Sequence, residues 1–99
     1  MHGEYKTPGG KLVMVDLERV DGRLRNVTVA GDFFLYPDDA LTAITASLEG
    51  LDASLAERDL TEHVARAIPP GTELLGTSAD AIAIAVRRAL ETAGREDVP

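Results

Sequence analysis

The chain has 99 residues, ten Lys and Arg against seventeen Asp and Glu, a formal net charge of −7, and no cysteine. That length fits one small domain, since two would each approach the size at which disulfides or metals become necessary. The acidic balance argues against free-standing nucleic-acid binding, which runs on Lys and Arg neutralising phosphates. The missing thiols exclude a disulfide framework, Cys-ligated zinc or iron–sulfur sites and a thiol nucleophile.

Residues 1–6 are polar, without the apolar stretch of a secretory signal. The longest apolar run, residues 81–86, falls far short of the ~20 residues of a membrane helix. A cytoplasmic domain over residues 1–93 with a short polar tail at 94–99 is expected.

Residues 11–20 set Val13, Val15 and Leu17 on one face, and residues 23–30 set Val27 and Val29 on one face. Period two is the strand signature. A two-residue Asp21-Gly22 loop would place Val15 opposite Thr28. A three-residue loop, Val20-Asp21-Gly22, places Val15 opposite Val27 and Val13 opposite Val29, with Gly22 in the left-handed position of a bulged turn. The second register is expected, because a slip of one would turn an apolar set to solvent.

Gly31-Asp32-Phe33-Phe34-Leu35 follows. Neighbouring phenylalanines in an extended segment point to opposite sides. Phe33 continues the odd-numbered face of Val27 and Val29 and is expected in the core; Phe34 is then free for a partner. A bend after Gly31 that buries both is the plain alternative.

A helix is expected from Pro37, with Asp38 and Asp39 favourable in its first turn, Ala40, Leu41, Ile44 and Leu48 as its apolar stripe, and Gly50 as its stop. Leu60, Val64 and Ile68 predict a second helix over 59–68, and both Ser54-x-x-Glu57 and Asp59-x-x-Glu62 read as capping boxes. Residues 73–76 are too short to assign. Thr77-x-x-Asp80 opens a last helix with Ile82, Ala85, Val86, Ala89 and Ala93 on one face, closed by Gly94. A hairpin followed by segregated helices is an α+β layer, a small antiparallel sheet backed by about three helices.

No phosphate loop, dinucleotide fingerprint or nucleophile elbow is present. No catalytic residue and no metal ligand set is expected. His63 lacks a second histidine at helical spacing and reads as a partly exposed helix residue. Arg87 and Arg88 read as a solvated face. One stretch stands out: Gly9 and Gly10 after Pro8 can bring backbone N–H groups close to an anion, and Lys6 and Lys11 flank them. The plain alternative is a tight connection into the first strand.

Tyr5-Lys6-x-Pro8-Gly9-Gly10-Lys11-Leu12-Val13, Asp21-Gly22-Arg23, Gly31-Asp32-Phe33-Phe34-Leu35-Tyr36-Pro37 and the later Leu74-Leu75-Gly76 resemble, in order and spacing, the C-terminal accessory domain of lipoate–protein ligases. The resemblance covers about residues 3–90. It implies a fold similar to iron–sulfur scaffold and sulfur-transfer proteins, with a third strand near residues 3–7. Those relatives work through thiolates, so sulfur transfer and cluster assembly are excluded by the absence of cysteine.

In most bacterial ligases of this family the domain is fused behind a large catalytic domain. In others it is a separate small subunit, and this chain looks like that split form. The resemblance implies a heterodimer that makes lipoyl-adenylate from lipoate and ATP and passes the acyl group to a lysine of an acceptor lipoyl domain. ATP, Mg and lipoate are expected at the large subunit and no cofactor on this chain alone. Gly9, Gly10 and Lys11 are the candidates near the adenylate; Phe34, Asp32 and Tyr36 are candidates for the partner interface. The lipoyl domain is met indirectly, and neither nucleic acid nor membrane is expected as a partner. A different class stays open: a non-enzymatic adaptor that reuses the fold and binds another protein through Phe33 or Phe34.

Overall fold

A computed structural model describes the backbone of residues 1–96 and the side chains of residues 1–91. Strands β1 (His2–Lys6), β2 (Leu12–Val20) and β3 (Arg23–Gly31) form an antiparallel sheet in the order β1-β2-β3. Strands β4 (Phe34–Tyr36) and β5 (Glu73–Leu75) form a separate antiparallel ribbon. Helices α1 (Asp39–Leu48), α2 (Glu57–Ala67) and α3 (Ala79–Glu96) complete the α+β fold. No described helix is long and apolar enough to cross a membrane.

One face of the sheet is apolar. Val13, Val15 and Leu17 of β2 and Val27 and Val29 of β3 are buried. Helix α3 packs on β1 and β2, α1 packs on β3, and α2 packs against both helices. With few aromatics, closeness does the work of bulk. Ala81, Ile82, Ala85, Val86 and Ala89 of α3 are fully buried, and Gly3 of β1 lies against them. A Cβ on Gly3 would stand 2.3 Å from both the Ala85 carbonyl oxygen and the Ala89 nitrogen. Small residues on both sides therefore let strand and helix meet almost backbone to backbone. The third strand that the resemblance implies is β1, which starts and ends one residue earlier than the expected 3–7; Thr7 belongs to the following turn.

The hairpin reaches the expected parity by a different route. Val20 pairs with Arg23, so the loop is the two residues Asp21 and Gly22, both with positive φ (53° and 76°), as a type I′ turn requires. Glu18 faces Arg25 but Asp16 faces Thr28, so Asn26 and Val27 together oppose Leu17. This bulge, with Asn26 at φ 53°, resets the alternation. Leu24 is buried before it, and Val27 and Val29 after it. Val15 consequently faces Val29 rather than Val27, and Val13 faces Gly31 rather than Val29.

A carboxylate holds the bulge. The bulge turns two successive amides outward, and Glu49, just past α1, accepts both, from Asn26 N at 3.1 Å and Val27 N at 2.7 Å. Beside it, Leu24 N donates to the Leu51 carbonyl (2.9 Å), and Gly50 N donates to that of Leu24 (2.7 Å). The exit of α1 is thereby fastened to the outer edge of β3.

Helix ends differ from expectation in several places. Helix α1 starts at Asp39, two residues after Pro37, with Asp38 as its N-cap. Helix α2 starts at Glu57 behind Ala56, earlier than expected; neither capping box forms, since Ser54 is engaged by Asp52 and Asp59 lies inside the helix. Ser78 rather than Thr77 caps α3, its hydroxyl accepting from Ala81 N at 3.2 Å. Helix α3 runs through Gly94 to Glu96, so Gly94 does not end it; the side chain of Ala93 and residues 97–99 lie outside the described part. Arg87 and Arg88 are not merely a solvated face. Arg87 donates to the carbonyls of Ala53 (3.0 Å) and Leu55 (3.3 Å), while Arg88 donates to that of Glu4 (3.0 Å) and lies 4.9 Å from the centre of the Tyr5 ring.

Two predictions follow from these contacts. Glu49→Ala strips two amides of their acceptor and should lower the unfolding free energy by about 1–3 kcal/mol in urea titrations, with Glu49→Gln losing less because one amide oxygen still accepts. Equal losses would place the cost in packing instead. The second concerns His2, which lies between Glu4 (Nε2 to Oε2, 2.6 Å) and Asp16 (Nδ1 to Oδ1, 2.8 Å). Hydrogen bonds to Glu4 and then Asp16 raise its pKa above 6.5. A raised folded-state pKa gives stability that is full below 6.5 and lost as pH rises through the higher value. Melting temperatures at pH 6 and pH 8.5 should therefore differ less in His2→Gln than in the parent; an unchanged difference would remove His2 from the pH response.

Candidate functional site

The glycine pair folds as the turn between β1 and β2. Gly10 N donates to the Thr7 carbonyl at 2.7 Å, with Pro8 and Gly9 between them and Gly9 at φ 71°, the pattern of a type II turn. The next residue ties this turn to a distant segment. Lys11 N donates to the Gly76 carbonyl at 3.2 Å, and the stem of Lys11 crosses Gly76 so closely that a Cβ there would stand 2.5 Å from Lys11 Cγ. Gly76 also needs its glycine for φ 88°.

This corner brings Gly10 and Lys11 together with Thr7, Gly76 and Thr77. The Gly10 and Lys11 amides are spent inside the protein. What the corner offers an anion is the Lys11 ammonium on an exposed side chain and the amide of Gly9. It also holds the hydroxyls of Thr7 and Thr77, both buried and without a hydrogen-bond partner among the described residues. Buried polar atoms normally have partners. Sequence reading missed both threonines, because the signal lies in the contact between two segments far apart in the chain.

A second surface adjoins the first. In the β4–β5 ribbon Phe34 pairs with Leu75, Leu35 with Leu74 and Tyr36 with Glu73. Leu35 is buried, so alternation turns Phe34, Tyr36 and Leu75 outward, and they are 71%, 69% and 55% exposed. Phe33, at 8%, belongs to the core, as the odd-numbered face predicts. Asp32 is exposed at the entrance to the ribbon. Leu75 completes this apolar face and was not legible from the sequence, since a three-residue strand carries too little periodicity. Because Leu75 precedes Gly76, the apolar face and the Lys11 corner are neighbours along one strand end.

His63 has a structural contact, its Nε2 standing 2.8 Å from the Ser47 carbonyl and joining α2 to α1. Asp38 and Asp39 lie at the start of α1, where the helix dipole accounts for their charge.

Truncation should separate the two phenylalanines. Phe33→Ala should cost about 3–5 kcal/mol, the range for a buried phenylalanine. Phe34→Ala should leave the melting temperature nearly unchanged. Early melting of both variants would mean that the ribbon packs against more of the core than its exposure indicates.

No family model matches the chain, and no curated protein matches it. Among solved structures, one chain superposes with a TM-score of 0.68 at 21% sequence identity, over 88% of this chain and 98% of its own length. It comes from a structure described as an archaeal lipoylation system from Thermoplasma acidophilum, a bipartite lipoate protein ligase and its E2 lipoyl domain. At this identity the similarity is one of fold, and it extends over nearly the whole of both chains.

Proposed function

We propose that this chain is the small accessory subunit of a bipartite lipoate protein ligase and assists a separate large subunit in forming lipoyl-adenylate. The observation that carries this reading is the fold shared across 98% of a chain from such a system. The motifs of residues 5–13 and 31–37, which point to the same family, converge on one end of the molecule: Lys11 lies on Gly76, and Phe34 pairs with Leu75 just before it.

The chemistry divides accordingly. Lipoate carboxylate attacks the α-phosphorus of ATP and pyrophosphate leaves; the amine of an acceptor-domain lysine then attacks the acyl carbon of the mixed anhydride, and AMP leaves as the amide forms. The large subunit supplies the acyl pocket and the catalytic lysine. The small subunit closes over the adenylate as a lid, where exclusion of water protects a hydrolysable anhydride and strengthens charge contacts. The apolar ribbon face anchors it, and Lys11 with the amide of Gly9 meets the anionic phosphates. A net charge of −7 keeps the free chain from attracting ATP by itself.

Reconstitution tests this. The chain alone should release no pyrophosphate from ATP and lipoate, and adding the large subunit should give lipoyl-adenylate at a rate well above that of either component. Lys11→Met should lower the adenylation rate of the complex with little change in subunit affinity. Phe34→Ala should weaken the complex about tenfold or more, as loss of an aromatic interface anchor does. Pyrophosphate release by the large subunit that is the same with and without this chain would defeat the proposal.

A further inference from the structure

The outer edge of β3 is filled along most of its length. Leu24 is paired with Gly50 and Leu51, and the amides of Asn26 and Val27 are taken by Glu49. The pairing then stops. Asp32 N donates to the Leu12 carbonyl, which fixes the even-numbered residues after the bulge as those that bond to β2. Val29 lies between two such residues, so its N–H and C=O point away from β2, and no described residue takes them.

At that opening lies a groove of about 420 Å³ between β3 and α1, lined by Val27, Val29, Leu41, Thr42, Thr45 and Ala46. Leu41 also lines a smaller hollow beside Phe34, Leu35 and Asp38, so the groove leads onto the apolar ribbon face. A strand edge with free backbone groups beside an apolar groove takes an extended segment: the backbone supplies the ladder and alternate side chains fill the groove.

Resting on the accessory-subunit reading above, we infer that an extended segment of the large subunit adds to β3 as a fourth strand, with apolar side chains in the β3–α1 groove and basic residues toward Asp38 and Asp32. Asp38 lines the hollow at the ribbon end of the groove, and Asp32 is exposed between β3 and the ribbon. The same charge argues against a second copy of this chain as the occupant, because two chains of −7 repel. Continuity with the Phe34 face lets one partner cover both surfaces.

Purified large subunit, unlabelled, is the probe, titrated into the isotopically labelled full chain. The Val29 amide should exchange at least about tenfold more slowly in the complex, while that of Ala30, already paired with Met14, should change little. The double variant Thr42→Arg/Ala46→Arg, at two exposed positions of α1, should melt like the parent yet bind about tenfold or more weakly, because it fills the groove and repels a basic segment. Parent binding that Phe34→Ala weakens, with Val29 exchange unchanged and the double variant binding as tightly as the parent, would overturn the strand addition and leave the accessory-subunit reading standing. No binding by the parent would overturn both. Protection of Val29 that depends on the chain's own concentration, with the large subunit absent, would assign the edge to a second copy and overturn the inference.

Discussion

One extra residue in β3 governs what the sheet can pack against. A type I′ turn at Asp21-Gly22 pairs odd with even residues, so an unbroken hairpin would place Val27 and Val29 opposite Asp16 and Met14, on the outward face of β2. The bulge at Asn26-Val27 reverses the alternation halfway along, and the valines of both strands then share the face that α1 and α3 cover. Its cost is two adjacent amides aimed off the sheet, one of them on the buried residue Val27. Glu49 meets both with a single carboxylate, and that contact fixes where α1 must end. Sheet register, helix exit and core composition are consequences of the same irregularity.

The bulge also divides the β3 edge. Up to Val27, the edge is closed by the α1 exit and its Glu49; beyond it, α1 stands far enough from the strand to leave a groove. An exposed edge is an aggregation hazard unless it is short or shielded. Here a short opening beside acidic residues limits unselective pairing. The other side of the sheet follows an opposite strategy. Gly3 and the alanines of α3 bring β1 and the helix into direct contact, so one flank of the molecule is closely packed through small residues while the other is open.

Much of this was legible in the residues. The alternation of Val13, Val15 and Leu17, the stripes of α1 and α3, and the opposite fates of Phe33 and Phe34 follow from periodicity that spans several residues. What escaped was set by single contacts between distant segments. The parity argument required one compensating residue but could not distinguish an odd loop from an even loop with a bulge, because both pair the valines. Asn26 tolerates positive φ and was a local hint. Glu49 carries no signature as a bulge cap, and β5 is too short to show alternation. Capping boxes at residues 54 and 59 were consistent with their spacing, yet Asp52 captured Ser54 first. Thr7 and Thr77 became notable only when folding left their hydroxyls without partners.

On the accessory-subunit proposal, the arrangement would let a chain without a thiol serve a reaction whose bonds change on its partner. Its chemistry-bearing groups are few: one ammonium on Lys11, one turn of glycines, and two hydroxyls. The ammonium and the glycines are presented from a turn whose backbone is locked by Gly10 to Thr7 and by Lys11 to Gly76, whereas the two hydroxyls are buried. Held this way, Lys11 begins from a fixed Cα and a stem already laid across Gly76, which would reduce the freedom lost if its ammonium met a phosphate, as proposed. The ribbon that carries Phe34, Tyr36 and Leu75 leads straight into Gly76, so a partner seated on the aromatic face would position the Lys11 corner through one continuous stretch of backbone. On the proposed role, binding energy from a surface remote from the phosphates would then be spent on closing the site, raising a rate without contact with the bonds that change.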